Sequence, residues 1–486
     1  MSENITQRIA RNFSWLIVGT TISGLANFAL VMYLARVLGV AAFGILNFVL
    51  AFLSYLILFV DSGLSLLGTR EIARRREAAG SLAVNILLVR FIIAVVVFAL
   101  AVLLVILTPQ SWEIKGLFIL AFLFVFGRAL NTDWAFQGLE TMKYIAWHRV
   151  LFSLSVLTLT AIFVHGPADL LLVPLMKFIP SLVLAGLFVL LIINVSPKDQ
   201  PIGLTPKKWL HYWWQAVPLG ASMILIQVYT NLDTIMLGFM DSAEVVGYYN
   251  AAYQVFFVLV GLFSLWQSTA IPVSTTNLAK DKNLAAGFIT KYFRLTMLVV
   301  FPLVMGTFIA APLIIKLLFG AAYQPASLAL QLLIWILIPI AVGSTYGILI
   351  LVPAGLYNQF LAAVMVGALV NVVLNFLLIP PYSFIGAAIA TIMAEISAGT
   401  IALYFAGKVL KTSLMPFFVR PFLVTILAAA FAWVVARACN IQSTAWQSVV
   451  TMFIFALTYV AISSYREYGF IRDFIQNMSN KVNEKL

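Results

Sequence analysis

The chain has 486 residues, of which 63% are hydrophobic and 9% charged, with a formal net charge of +12. Soluble globular chains carry about 25% charged residues, so this composition, with a mean hydropathy of +1.05, excludes a soluble protein. The single cysteine, Cys439, excludes an internal disulfide.

Apolar runs long enough to cross a hydrocarbon core of about 30 Å as helices recur along the whole chain. They are continuous rather than alternating, which selects helices over a closed barrel. The polar N-terminus, MSENITQRIARN, leads into the first run with no small-residue cleavage site and reads as an uncleaved first helix. Fourteen helices are predicted, at 13–34, 42–67, 82–107, 116–137, 148–165, 169–193, 214–238, 248–271, 294–312, 326–353, 360–380, 384–407, 417–437 and 447–464. The expected fold class is therefore an all-α polytopic membrane protein. An even number of crossings puts both termini on one side.

Lysines and arginines choose that side. With a cytoplasmic N-terminus the inner connections carry 22 of them, including Arg8, Arg70, Arg74, Arg75, Arg76, Lys198, Lys411, Arg466, Arg472, Lys481 and Lys485; the outer ones carry 4. That asymmetry is what the positive-inside rule expects. It accounts for the net charge through topology and contact with anionic membrane lipids, and no nucleic-acid motif is present.

Polar residues interrupt the spans in chain order. Thr20, Ser23 and Asn27 share a face of predicted helix 1. Asp61 lies in helix 2, Arg90 in helix 3, Arg128 and Asp133 in helix 4, and Lys177 in the outer half of helix 6. Helix 7 carries Asp233 and a stripe of Gln227, Asn231 and Thr234; helix 11 carries Asn371 and Asn375 at i, i+4; helix 12 carries Glu395. An embedded charge costs about 2.5–3.5 kcal/mol on insertion scales, so these must pair, neutralise or face water. Depth makes Arg90 the expected partner of Asp61. Such a pair is either purely structural or borders a hydrated cytoplasmic cavity. The uncharged stripes either join helices or line a pathway. His148, His165 and His211 are scattered, and no catalytic or metal constellation appears.

The second half echoes the first. AAFGILNFVLAF (41–52) aligns with EVVGYYNAAYQV (244–255), placing Gly44 on Gly247 and Asn47 on Asn250 at an offset of 203; Gly138-Leu139 matches Gly355-Leu356 at 217. The expected organisation is an N-lobe at 1–193, a linker at 194–213, a parallel C-lobe at 214–407, and two extra helices with a tail at 408–486. Parallel repeats suit transporters that rock two lobes about a central site.

The stretches YLARVLGVAAFGILNF (33–48), GLSLLGTREIARRRE (63–77), DWAFQGLETMKYIA (133–146), YTNLDTIMLGF (229–239) and FGAAYQPA (319–326) carry a resemblance. The chain resembles the polysaccharide-repeat-unit (Wzx-type, O-antigen type) flippases of the multidrug/oligosaccharidyl-lipid/polysaccharide exporter superfamily. The resemblance implies alternating-access export of undecaprenyl-diphosphate-linked oligosaccharide across a bacterial inner membrane, with Na+ or H+ as coupling ion. It also implies delivery to polysaccharide polymerase machinery, and no enzyme activity. An anionic headgroup wants cations along its path, and arginine donates to phosphate in pairs. Arg90, Arg128 and Lys177 are the embedded candidates. Arg36, Arg149, Lys291, Arg294 and Arg420 lie nearer the mouths. Asp61, Asp133, Asp233 and Glu395 are candidate charge partners or ion-coupling groups. Two rivals share the fold: a drug exporter, whose cavity would want carboxylates, and a flippase for lipid-linked peptidoglycan precursor. A glycan polymerase or ligase would present a sizeable outer loop, and none is predicted.

Overall fold

The computed structural model describes residues 5–196, 203–410, 414–439 and 446–463. Lys198, Lys411, Arg466, Arg472, Lys481 and Lys485 lie outside the described residues, as do the side chains of Arg8 and Gln227. Every regular element among the described residues is a helix, and ten helical stretches there are long and apolar enough to cross a membrane. The chain is an all-helical, multi-span membrane protein.

The helices in order are α1 (Ile5–Asp61), α2 (Leu64–Arg74), α3 (Ala79–Leu107), α4 (Trp112–Phe122), α5 (Phe124–Ala129), α6 (Asp133–Gly138), α7 (Met142–Phe163) and α8 (Leu172–Val195). There follow α9 (Pro206–Met240), α10 (Ala243–Lys280), α11 (Lys282–Phe319), α12 (Ala326–Leu333), α13 (Leu337–Tyr346), α14 (Tyr357–Val409), α15 (Met415–Ala438) and a last helix, α16, over 446–463.

Two helices are too long to be single crossings. The 57 residues of α1 would extend about 85 Å if straight. The helix is broken at Gly39, whose φ of 75° and ψ of 173° belong to a region only glycine enters cheaply. In α14, Pro380 and Pro381 remove two amide donors, and Ser383 two residues later takes φ 57°, ψ −138°. Each break falls between two predicted helices.

Two predicted helices are corrected. The one at 42–67 ends at Asp61, because Ser62 and Gly63 turn through positive φ (43° and 84°). Asp61 therefore sits at a corner, not mid-helix. Beyond it, α2 is a separate short helix that buries Leu64, Leu67 and Ile72 and ends in Arg74. The helix predicted at 116–137 is divided into α4, α5 and α6, with residues 130–132 outside helix.

The chain divides into two compact units, Met1–Asn250 and Ala251–Leu486. In the first, a core of Leu64, Leu67, Ile86, Trp134, Phe136 and Phe188 joins α2, α3, α6 and α8, while Val49, Val60, Phe118 and Phe122 join α1 to α4. The division falls inside α10, after the 194–213 stretch, and the packing of α9 explains why. Buried Asn85 of α3 accepts from the Thr205 amide at 2.8 Å and the Trp209 indole at 2.8 Å, and donates to the Gly203 carbonyl at 2.8 Å. These bonds tie the start of α9 to the first unit. In the second unit, Met305 of α11 packs with Ala428 and Ala432 of α15 and Phe455 and Tyr459 of α16.

The repeat has a structural counterpart inside the first unit. A Cβ on Gly44 would lie 1.8 Å from the Ala243 carbonyl oxygen, and one on Gly247 would lie 2.3 Å from that of Val40. Residues 40 and 44 correspond to 243 and 247 at the same offset, so the contact is reciprocal, as a two-fold contact is. Asn47 and Asn250 also make matching bonds, donating to the Phe43 and Val246 carbonyls at 2.8 and 2.9 Å.

Candidate functional site

The interruption at 130–132 is the starting point. A broken helix leaves carbonyls without intrahelical partners, and inside a membrane they need donors. Arg90 of α3, 3% exposed, supplies them. Its Nη2 donates to the Arg128 carbonyl at 2.8 Å and its Nη1 to the Asn131 carbonyl at 3.1 Å. The guanidinium also meets the negative end of the α5 dipole. Its charge is matched by Asp61, whose Oδ1 lies 3.3 Å from Nη2, the partner that depth predicted. Asp61 in turn accepts from the Ser65 hydroxyl.

Past the interruption, Asp133 opens α6, where a carboxylate suits the positive end of the helix. Its Oδ1 lies 2.9 Å from His148 Nδ1, and its Oδ2 is 3.7 Å from Arg149 Nε. The Asn131 amide is 3.4 Å from the same ring nitrogen. That ring nitrogen therefore faces both the Asp133 carboxylate and the Asn131 amide. Arg149 reaches on to α1, donating to Thr20 Oγ1 at 3.2 Å. A continuous polar path thus runs from Asp61 through Arg90, the helix interruption, Asp133 and Arg149 to the Thr20 stripe.

That stripe faces a cavity of about 410 Å³ in the first unit. Thr20, Ser23 and Asn27 line one side, Arg149 and Ser153 of α7 another, and Lys177 of α8 a third; among the described residues no carboxylate lines it. Among the described residues, Lys177 has no hydrogen-bond or ion-pair partner.

The remaining predicted residues are placed as follows. Arg128 is half-buried beside the interruption. Arg36 is exposed and has partners of its own. Asp233 of α9 is buried and accepts from the Tyr249 hydroxyl at 2.8 Å, next to Thr234, which donates to Asn250 at 3.3 Å. Asn231, on the same helix, is half-buried. In the second unit, Lys291 is exposed on α11 and Glu395 half-buried on α14. Asn371 and Asn375 are fully buried; Asn371 donates to Thr391 at 3.2 Å and Asn375 to Asn371 at 3.1 Å. The bond from Asn371 to Thr391 joins the two halves of α14. Arg294 and Arg420 line a separate cavity.

Two motif stretches meet beside the site. Thr69, from GLSLLGTREIARRRE, donates to the Trp134 carbonyl of DWAFQGLE at 2.9 Å, and Arg76 pairs with Glu140 at 2.8 Å. Together they hold α2 against α6 and so fix Asp61 and Asp133 on either side of Arg90.

The profile of the polysaccharide biosynthesis protein family matches residues 9–278, more than half of the chain and all of this site. The chain belongs to that family. Among similar curated proteins, one from Escherichia coli (strain K12) named "Putative O-antigen transporter" is 25% identical over 381 residues, 77% of this chain and 90% of that one. "Probable flippase AglR" of Haloferax volcanii is 23% identical over 240 residues, 48% of this chain and 49% of that one. Among solved structures, the lipid II flippase MurJ in an inward closed conformation has a TM-score of 0.76 at 16% identity, covering 94% of this chain and all of the other. An inward-facing multidrug transporter of the same superfamily has a TM-score of 0.64 at 15% identity, covering 81% and 97%. This member of the polysaccharide biosynthesis protein family thus has the exporter-superfamily fold. It is a polysaccharide-related transporter and not an enzyme.

Asn131 and Asn85 were not singled out in the sequence, and His148 was read there only as one of three scattered histidines. The signal for Asn131 and His148 was the polar run Asn131-Thr132-Asp133 inside an apolar stretch, facing His148-Arg149 one helix later.

Proposed function

We propose that this protein is a flippase that moves undecaprenyl-diphosphate-linked oligosaccharide units from the cytoplasmic to the outer leaflet of a bacterial inner membrane, for surface polysaccharide assembly. The observation that carries the reading is Lys177. Among the described residues this embedded cation has no partner, and the cavity it lines with Arg149 has no carboxylate. An unpaired charge at depth is costly, and an anionic headgroup in the cavity offsets that cost. A cavity for cationic drugs would present the opposite sign. The names of the relatives, an O-antigen transporter and a flippase, point to the same substrate class.

The reading takes the fourteen helical segments as fourteen crossings with both termini cytoplasmic. Residues 1–193 and 214–407 act as parallel lobes, and 408–486 as an appended pair of helices with a tail. The lobes alternate access, with Na+ or H+ as coupling ion and a polymerase system receiving the unit outside. Arg90, Arg128, Arg36, Lys291, Arg294 and Arg420 add positive potential along the route. Asp61, Asp133, Asp233 and Glu395 serve as charge partners or ion-coupling groups. The reciprocal contact of Gly44 and Gly247 supports two lobes that meet and part at the outer end.

The test is deletion and complementation. Loss of a surface polymer with viability retained, and accumulation of lipid-linked units inside, supports the reading. Loss of viability with stalled peptidoglycan precursor would assign the other lipid-linked substrate.

A further inference from the structure

The cavity at Lys177 has features that an anion does not call for. Phe124 of α5 and Phe152 of α7 both line it. Their ring centroids are 6.0 Å apart with the planes tilted by 39°, and both residues are half-buried, so part of each is left uncovered. Ser23, Gly24 and Asn27 of α1 line the same space. Among the described residues Asn27 makes no hydrogen bond, although its carboxamide offers two donors and an acceptor. The Ser23 hydroxyl donates to the Thr20 carbonyl at 3.1 Å and keeps its oxygen as an acceptor. Small residues in membrane helices let a neighbouring helix approach, but a Cβ on Gly24 would meet nothing within 4 Å. Glycine inside a helix costs about 1 kcal/mol against alanine, and here it leaves open space in the cavity instead of admitting a helix. A sugar ring would use all of these features. Its C–H face rests on aromatic rings, and its hydroxyls exchange hydrogen bonds with amides and hydroxyls. The volume of about 410 Å³ lies within the range of about 300–1,000 Å³ for small-molecule sites.

We infer that this cavity reads the sugar next to the diphosphate: Phe124 and Phe152 lie under its C–H face, Ser23 and Asn27 meet its hydroxyls, and Gly24 leaves room for it. The inference rests on the proposed flippase function and adds specificity-determining residues to it. A lipid diphosphate without a sugar carries the same headgroup charge, so Lys177 and Arg149 alone cannot separate a loaded carrier from a bare one. Discrimination needs contacts that only the glycan makes. The aromatic pair and the α1 stripe supply them, and they make the glycan-bearing lipid the preferred cargo.

The test uses the purified full-length protein in nanodiscs, with binding read by native mass spectrometry. The two probes are undecaprenyl diphosphate and the lipid-linked unit extracted from a deletion strain. The wild type is expected to bind the glycan-bearing lipid about tenfold more tightly than the bare one, the size of one net hydrogen bond. Gly24→Leu fills the open space and Asn27→Ala removes the carboxamide. Each should lose most of that preference and leave binding of undecaprenyl diphosphate little changed. Asn27 is exposed and Gly24 has no close neighbour, so both variants should fold, and a monodisperse profile in size exclusion checks this. Phe152→Leu should act in the same direction, whereas Lys177→Gln should weaken both probes alike. Equal binding of the two probes by the wild type would overturn the inference. So would a preference kept in Gly24→Leu or Asn27→Ala, or an equal loss of both probes in those variants. In each of these cases the flippase reading survives if Lys177→Gln still weakens binding, and only the sugar site fails. If neither probe binds the wild type, both fail.

Discussion

The fourth predicted helix of the first half and its counterpart in the second are both irregular, and they are held in different ways. In the first unit α4, α5 and α6 are separated by breaks, and the freed carbonyls of Arg128 and Asn131 are bound by a buried guanidinium matched to Asp61. In the second unit α12 and α13 are joined by a 3-10 turn, and a π-helical stretch follows over Gly347–Leu351. There the buried hydroxyl of Ser274 donates to the Leu349 carbonyl. One half spends a charge where the other uses a hydroxyl. A neutral donor is enough to satisfy a carbonyl, so the charge has a second consequence: it ties the break to Asp61 and, through Asp133 and Arg149, to the wall of a cationic cavity.

The comparison is sharpest at Asp61. Removing one member of a buried ion pair costs about 3–5 kcal/mol, so Asp61→Ala should lower melting temperature and membrane abundance strongly. Asp61→Ala/Arg90→Gln should recover abundance beyond the sum of the two single losses, measured as a double-mutant cycle. Simple additivity would break the claim that the two act as a unit. Next in size is Arg90→Lys. It keeps the charge but cannot span both carbonyls, and the loss of one charge-assisted bond predicts about 1.5–3 kcal/mol. Ser274→Ala, the neutral counterpart, should cost only about 1–3 kcal/mol, since one buried carbonyl loses its donor. If it cost as much as Asp61→Ala, the distinction between the two halves would fall. Asn371→Ala should have the smallest effect, about 0.6 kcal/mol, typical of a hydrogen bond between helices in a membrane. Transport rate per molecule should not change, because Asn371 is fully buried between the two halves of α14.

Helix positions were legible in the sequence because hydropathy is a signal summed over many residues. Asp61, Arg90, Arg128, Asp133 and Lys177 stood out for a related reason: a charge at depth is too costly to be incidental. The break at Gly39 was legible as the gap between the helices predicted at 13–34 and 42–67, but the corner at Ser62-Gly63 was not: it is fixed by dihedral choices inside an apolar stretch, which leave the hydropathy profile unchanged. The interruption at 130–132 depends on Arg90, some forty residues away, satisfying its carbonyls. The link from Asp133 to the cavity runs through Arg149, with His148 on the other carboxylate oxygen, and only the packing of α6 on α7 brings them together. The stripe on α1 was visible as a face, but whether it met another helix or a cavity depended on where α7 and α8 lie.

The most direct measurement concerns the charge of Lys177. Lys177→Gln and Lys177→Arg are each expressed in a deletion strain, with surface polymer quantified against membrane abundance of the same variant. The account predicts near-normal abundance for both, loss of most polymer with glutamine, and substantial export with arginine. Full export by Lys177→Gln at normal abundance, unchanged when Arg149→Gln is added, would contradict a cationic route for an anionic headgroup.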